Sequence, residues 1–230
     1  MEFKFKKKKE KIKIRQAKFE DIPQIIFVEK EAWGEKGAAT KEMLESRIKT
    51  FQEGNLVAES DKKIIGVVFT EIVNYDPEKN SYSWYEITDS GFIKNSHNPD
   101  GNTIYGVGLS VLPSYQKLGI GSILLETIAK IAIKNNIKQA MLGGRIAEYY
   151  KYADKMSPEE YIRQSVKTEK GVKPLDPEIY FYQRAGLRIV KLIPNYFKDS
   201  ESLDYGVLLL WNNPFYNKWY RWIGAKIFKI

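Results

Sequence analysis

The residues best placed to do chemistry sit in one stretch. Val107-Gly108-Leu109-Ser110-Val111-Leu112-Pro113 is followed after two residues by Gln116-Lys117-Leu118-Gly119-Ile120-Gly121-Ser122. This reads as a strand, a tight turn and a helix that starts with two glycines one residue apart. The chemistry available there is anion binding. The first amides of a helix have no partner inside it, and aligned peptide dipoles place about half a positive charge at that end. Glycine at 119 and 121 would let a pyrophosphate reach the backbone with no Cβ in its way. Lys117 adds a full charge at the rim. The spacing is not that of the P-loop, whose Lys-Ser/Thr comes later. The third glycine and downstream acid of the dinucleotide fingerprint are also missing. The glycine pair alone equally fits an ordinary strand–turn–helix, so the surrounding elements decide.

A second group lies in the polar, aromatic segment from Asn74 to Asn102. It holds Glu86, Asp89, His97 and Asp100 beside Trp84, Tyr85 and Phe92. Carboxylates among aromatic rings suit a cation such as an ammonium. Glu86, Asp89 or His97 could take a proton from it, directly or through water. The same acids would also serve to cap turns in a solvated loop. Composition excludes much else. With no Cys and a single His in 230 residues, thiolate zinc sites, iron–sulfur clusters and Cys nucleophiles are ruled out, and the reading calls for no metal.

The elements that must position these residues follow from periodicity. Ile12 and Ile14 mark a first strand. Ile22, Ile25, Ile26, Val28 and Ala32 form a helical stripe, and Thr40 caps a second helix through Met43, Leu44 and Ile48. Asn55–Glu59 and Ile64–Ile72 are strands joined by the turn Ser60-Asp61-Lys62-Lys63. Thr103–Val111 is a strand, Tyr115–Asn135 a helix and Ile137–Leu142 a strand. Ser157 and Glu160 form a capping box for a short helix to about Val166. Asp176-Pro177 opens another helix, and Leu187–Ile193 and Leu203–Trp211 are late strands. Hairpin strands before a strand–helix–strand unit give an α/β fold, a mixed sheet with helices on both faces.

Gln116-Lys117-Leu118-Gly119-Ile120-Gly121 resembles the coenzyme A motif of the GCN5-related N-acetyltransferases, Gln/Arg-x-x-Gly-x-Gly/Ala. Val111-Leu112-Pro113 fits the strand that leads into it. The resemblance implies a splayed sheet of six or seven strands and acetyl-CoA as co-substrate. Leu109, Ser110 and Val111 would then bind the pantetheine arm, and the amides of Gln116 to Ser122 the pyrophosphate. Tyr182-Gln183-Arg184-Ala185-Gly186-Leu187 is similar to the family's Tyr-x-x-x-Gly-Phe, with Leu for Phe, and implies that Tyr182 protonates the departing thiolate. Trp84–Gly91, His97–Gly101, Gly143-Gly144-Arg145 and Asp176-Pro177 look like acetyltransferase domains joined to carbon–nitrogen hydrolases. The resemblance as a whole implies transfer of an acetyl group to a primary amine by direct attack. The rival is a module that binds coenzyme A or another phosphate ligand without catalysis.

Charge sits at the ends. Residues 1–15 carry net +6 and residues 211–230 net +4, of a total +8. The chain reads as a basic tail over 1–10, one domain over 11–213 with the insertion 74–102, and a basic aromatic tail over 214–230. On a helical wheel Tyr216, Trp219, Tyr220, Ile223, Ile227 and Ile230 share a side opposite Lys218, Arg221, Lys226 and Lys229. That is the pattern of an interfacial helix or of one docked on a partner or on its own domain. Apolar runs such as Ile64 to Phe69 are far too short to cross a bilayer. The expected setting is the cytoplasm, with weak contact to an anionic membrane through the tails. Nucleic acid is disfavoured because no stacking motif interleaves with the charge. A homodimer is compatible with the sequence.

Overall fold

The computed structural model describes residues 2–4, 11–169 and 171–230. The strands in chain order are β1 (Glu2–Lys4), β2 (Lys11–Gln16), β3 (Leu56–Ser60), β4 (Lys63–Val73), β5 (Thr103–Val111), β6 (Gln139–Arg145), β7 (Ser165–Thr168), β8 (Gly171–Pro174), β9 (Arg188–Ile193) and β10 (Gly206–Asn212). Eight form one mixed sheet in the order β1-β2-β3-β4-β5-β6-β10-β9, and β7 and β8 pair apart as a hairpin. The helices are α1 (Ile22–Gly37), α2 (Lys41–Thr50), α3 (Trp84–Ile87), α4 (Ile120–Lys134), α5 (Pro158–Tyr161), α6 (Pro177–Arg184) and α7 (Arg221–Ile227).

Local chemistry explains the boundaries. Asp61 and Lys62 both take positive φ in the β3–β4 turn, as a tight hairpin requires. Thr40 Oγ1 accepts from Met43 N to start α2, and Asp176 Oδ1 accepts from Glu178 N and Ile179 N, 2.9 Å each, to start α6. Ile120, Leu124 and Ile128 bury one stripe of α4 against the sheet. Ser110 on β5 points to α1, whereas Gly66 on β4 lies against Ile120, so α1 and α4 cover opposite faces.

The expected mixed sheet is present, with β2-β3-β4-β5-β6-β10-β9 as seven strands and Glu2–Lys4, in the basic N-terminal stretch, pairing as an eighth along the edge of β2. The structure corrects three other expectations. The helix begun by Ser157 ends at Tyr161, and Ser165–Thr168 is a strand. The segment 74–102 is not a bare loop. It carries α3 and buries Tyr75, Ile87 and Ile93. The C-terminal segment is helical only over Arg221–Ile227. It docks on α4 and β10 mainly through side chains outside the predicted apolar stripe. Gly224 is buried under Phe215, Phe228 meets Trp211 edge to face, and Ile230 N donates to Glu126 Oε2 on α4.

The feature that matters for function is a parting of strands. Parallel β5 and β6 pair from Thr103 with Gln139 to Gly106 with Leu142 and then separate. A bulge against Phe69 and Thr70 leaves Val107 unpaired at the same level, bending β5. The Val107 carbonyl accepts from Trp84 Nε1 at 2.8 Å, which ties α3 of the insertion to the bulge.

Candidate active site

A cavity of about 340 Å³ lies where β5 and β6 part. Gly108 and Leu109 line one side, and Gly143, Gly144 and Arg145 the other. Past Gly106 the edge of β5 has no partner in β6, so its backbone groups are open to sheet-like pairing with an extended ligand. The paired glycines of β6 make room for rings. A Cβ at Gly143 would stand 2.0 Å from Tyr196 Cζ, and one at Gly144 3.2 Å from Tyr182 Cε2. Tyr196 is fixed there by a 2.9 Å hydrogen bond between its hydroxyl and that of Tyr105.

Near the end of β5 stands the amino end of α4. Gly119 is its N-cap at φ +82°, a conformation that glycine adopts freely, and it supplies no capping side chain. Lys117 also has positive φ, and Gln116 Nε2 donates to the Val111 carbonyl at 3.2 Å, tying the turn to the strand. Leu118 is half-buried and Ile120 is in the core, so the amides of Gly119, Gly121 and Ser122 head the helix with no intrahelical partner. Gly121 has a further reason for being glycine beside the one expected. A Cβ there would lie 2.9 Å from the Phe181 ring, so its smallness seats α6 against α4. Ser110 is likewise engaged by its side chain. Its hydroxyl donates to Glu29 Oε1 at 2.6 Å and accepts from Trp33 Nε1 at 2.7 Å, leaving only its backbone for a ligand.

Tyr182 lines the cavity, and burial pushes its hydroxyl well above the usual phenol range. Glu178, one helical turn earlier, also lines it. Its carboxyl is pushed up to about 7 by burial, against the pull of Arg145, whose Nε donates to it at 2.6 Å. Arg145 further pairs with Glu201 at 2.9 Å and lies over the Trp33 ring.

The three insertion residues expected as bases are engaged elsewhere, and none lines the cavity. Glu86 Oε2 accepts from Ser83 N and Oγ as the capping box of α3, which holds its carboxyl below the usual range. Asp89 Oδ2 accepts from Asn95 N and Nδ2. His97 Nδ1 accepts from Ile72 N, and its ring stacks on Phe51. The acids that line the cavity are Glu29 and Glu178, and Glu71 is buried next to Thr70 of its wall. Their signal in the sequence was a charge inside an apolar stripe: Glu29 beside Val28, Arg47 between Leu44 and Ile48, Glu71 between Thr70 and Ile72. Glu178 stands four residues before Tyr182 and so on its helix face.

Glu71 is fully buried. Its Oε2 accepts from Ser96 Oγ at 2.5 Å, while Oε1 has no hydrogen-bond partner. Burial pushes this carboxyl up to about 8. Between the usual carboxylate range and 8 the fold therefore keeps a proton that the unfolded chain has lost, and stability falls as pH rises through that window. Glu71→Gln removes this titration. Its melting temperature relative to wild type is expected to be several degrees higher at pH 8.5 than at pH 5.5. A difference that does not change with pH would show that Glu71 is not the titrating group.

Residues 19–151 match the Acetyltransferase (GNAT) family. The uncharacterized N-acetyltransferase YkwB of Bacillus subtilis (strain 168) is 38% identical over 216 residues, 92% of this chain and 93% of that protein. The probable hydrolase YhcX of the same organism is 35% identical over 204 residues, 88% of this chain but 39% of that protein. The loading GNATL domain of CurA from Lyngbya majuscula superposes with a TM-score of 0.77 at 25% identity, over 88% of this chain and 98% of that one. The chain belongs to the GNAT acetyltransferase family. It is an N-acetyltransferase of that family, an enzyme that draws its acyl group from an acyl-CoA.

Proposed function

We propose that the transferred group is acetyl and that the acceptor is a primary amine attacking from the α1 and α2 face. The observation that carries this reading is the alignment of three features along one cleft: the open edge of β5, the uncapped start of α4, and Tyr182 facing Gly144. The strand edge would align an extended pantetheine arm, and the amides at 119–122 would hold the pyrophosphate. Attack forms a C–N bond and breaks the C–S bond, so a proton must leave the nitrogen and one must reach the sulfur. Glu178, poised near neutrality, is the group we assign to accept the first, directly or through water. Tyr182 stays protonated at any physiological pH and delivers the second as charge develops on sulfur. Backbone amides of β5 near Gly108 are suited to the carbonyl oxygen. Tyr182→Phe keeps the ring against Gly144 and removes only the proton. It should lower turnover by roughly 10²-fold with acetyl-CoA affinity little changed. Turnover within twofold of wild type would reduce Tyr182 to a packing residue and favour a binding module without this acid.

We further propose that the C-terminal segment touches anionic lipid at the cytoplasmic face. Trp219 is 83% exposed, and Trp222, Ile223 and Ile227 also face solvent, although α7 is docked. Residues 214–230 hold four cations and no acid. Each cation near an anionic surface contributes about 1 kcal/mol, so association would be weak and salt-dependent. Wild type should pellet with phosphatidylserine vesicles at low salt, and Trp219→Ser with Ile223→Ser should not. Failure of wild type to pellet, or dimerisation abolished by the same two substitutions, would assign the stripe to something other than lipid.

A further inference from the structure

We propose that the cleft contains a carboxylate-binding subsite built on Arg47, which receives a carboxylate carried by one of the two reacting molecules. This rests on the acyl-transfer reading and specifies the chemistry of what enters beside the thioester.

Arg47 lies in the middle of α2 between Leu44 and Ile48, and is itself only 2% exposed. Its guanidinium sits over the Phe69 ring, 5.1 Å from the centroid. Its Nε donates to the Gly91 carbonyl at 2.7 Å. Among the described residues its two terminal nitrogens have no hydrogen bond and no ion pair, and Arg47 lines the cavity. Glu29 and Glu71 act on this guanidinium only through space, and a buried guanidinium whose terminal donors are unbonded is a costly arrangement unless something completes it.

The neighbouring acids do not complete it. Glu29 accepts from Ser110 Oγ through one oxygen and from Ala39 N through the other. Glu71 is held by Ser96, and burial pushes its carboxyl up, which weakens it as a counter-charge. Burial lowers Arg47 itself only to about 10, so it remains a cation. Arg145, half-buried at the cleft, is already paired with Glu178 and Glu201.

There is also room for a ligand. Phe69, under the guanidinium, pairs across the ladder with Gly108, and a Cβ at Gly108 would meet nothing within 4 Å. The space that opens from Arg47 is thus the space beside the open edge of β5, where the thioester is placed. A single planar fork of N–H donors matches one carboxylate in bidentate fashion.

The carboxylate can belong to the acceptor, as in an α-amino acid, or to the acyl chain, as in a dicarboxylic acyl-CoA. The test has an arm for each. In the first, wild-type protein with acetyl-CoA is assayed for thiol release with the common α-amino acids and with their carboxamides. In the second, calorimetry compares succinyl-CoA and glutaryl-CoA with acetyl-CoA. Charge-assisted hydrogen bonding predicts a preference of about 10- to 100-fold for the carboxylate in one arm. Arg47→Gln, which keeps a donor for the Gly91 carbonyl, should abolish that preference while still binding acetyl-CoA. If this variant does not fold, the wild-type comparison decides alone. A preference under twofold in both arms, with acetyl-CoA bound, overturns the subsite and leaves acyl transfer standing. A preference that survives in Arg47→Gln also overturns it. Absence of acetyl-CoA binding overturns the acyl-transfer reading and the subsite with it.

Discussion

One constraint organises the molecule: β5 and β6 are parallel neighbours that pair for only four residues and then must separate. The bulge at Val107 bends β5 away, and Trp84 anchors the carbonyl that the bulge frees. On the other side Gly143 and Gly144 remove side chains from β6, so that Tyr196 and Tyr182 fill the widening space from opposite faces. A strand edge left unpaired inside a protein is unfavourable unless something else pairs with it. Here the cleft that results leads to the amino end of α4, where further amides await an acceptor. The fold thus concentrates unsatisfied backbone donors along one line.

Around that line the protein buries charge in an uneven way. Arg145, Glu178 and Glu201 form a closed set on one wall, and Glu29 is closed by Ser110 and Ala39. Arg47 and Glu71 are not closed: among the described residues the first retains unbonded donors and the second an unbonded acceptor. Burial moves Glu71 and Glu178 toward neutrality in opposite settings, one sealed under the insertion, the other at the cavity wall. Only the second lines the cavity. The two perturbed carboxyls therefore differ by exposure, not by the direction of their shift.

The sheet's mixed class, the order of its strands along the chain and the glycine-led helix, which begins at Ile120 rather than Tyr115, were legible in the sequence because each rests on local signals. The alternation of Ile12 and Ile14, the caps Thr40 and Asp176, and the run Gln116 to Gly121 are such signals. The reacting groups were less legible. Glu86, Asp89 and His97 looked chemical because acids and a lone His stood among aromatics, yet each is spent on a local hydrogen bond. Glu29, Arg47 and Glu71 come together only through the packing of α1, α2 and β4, which no local pattern encodes. The C-terminal helix shows the same limit. Its wheel separates apolar from charged residues, but α7 docks through Gly224 and Phe228, because Gly224 alone admits the Phe215 ring.

The central claim is that the parted strands and the start of α4 together hold an acyl-CoA by its pantetheine arm and pyrophosphate. Thermal unfolding of the wild-type protein with acetyl-CoA, set against S-acetylpantetheine at equal concentration, tests it directly. Both ligands carry the thioester and the arm, but only the first carries the phosphates that the amides of 119–122 should bind. Stabilisation growing with acetyl-CoA concentration, and little or none with S-acetylpantetheine, is the predicted result. Equal stabilisation by both, or none by either, would contradict it.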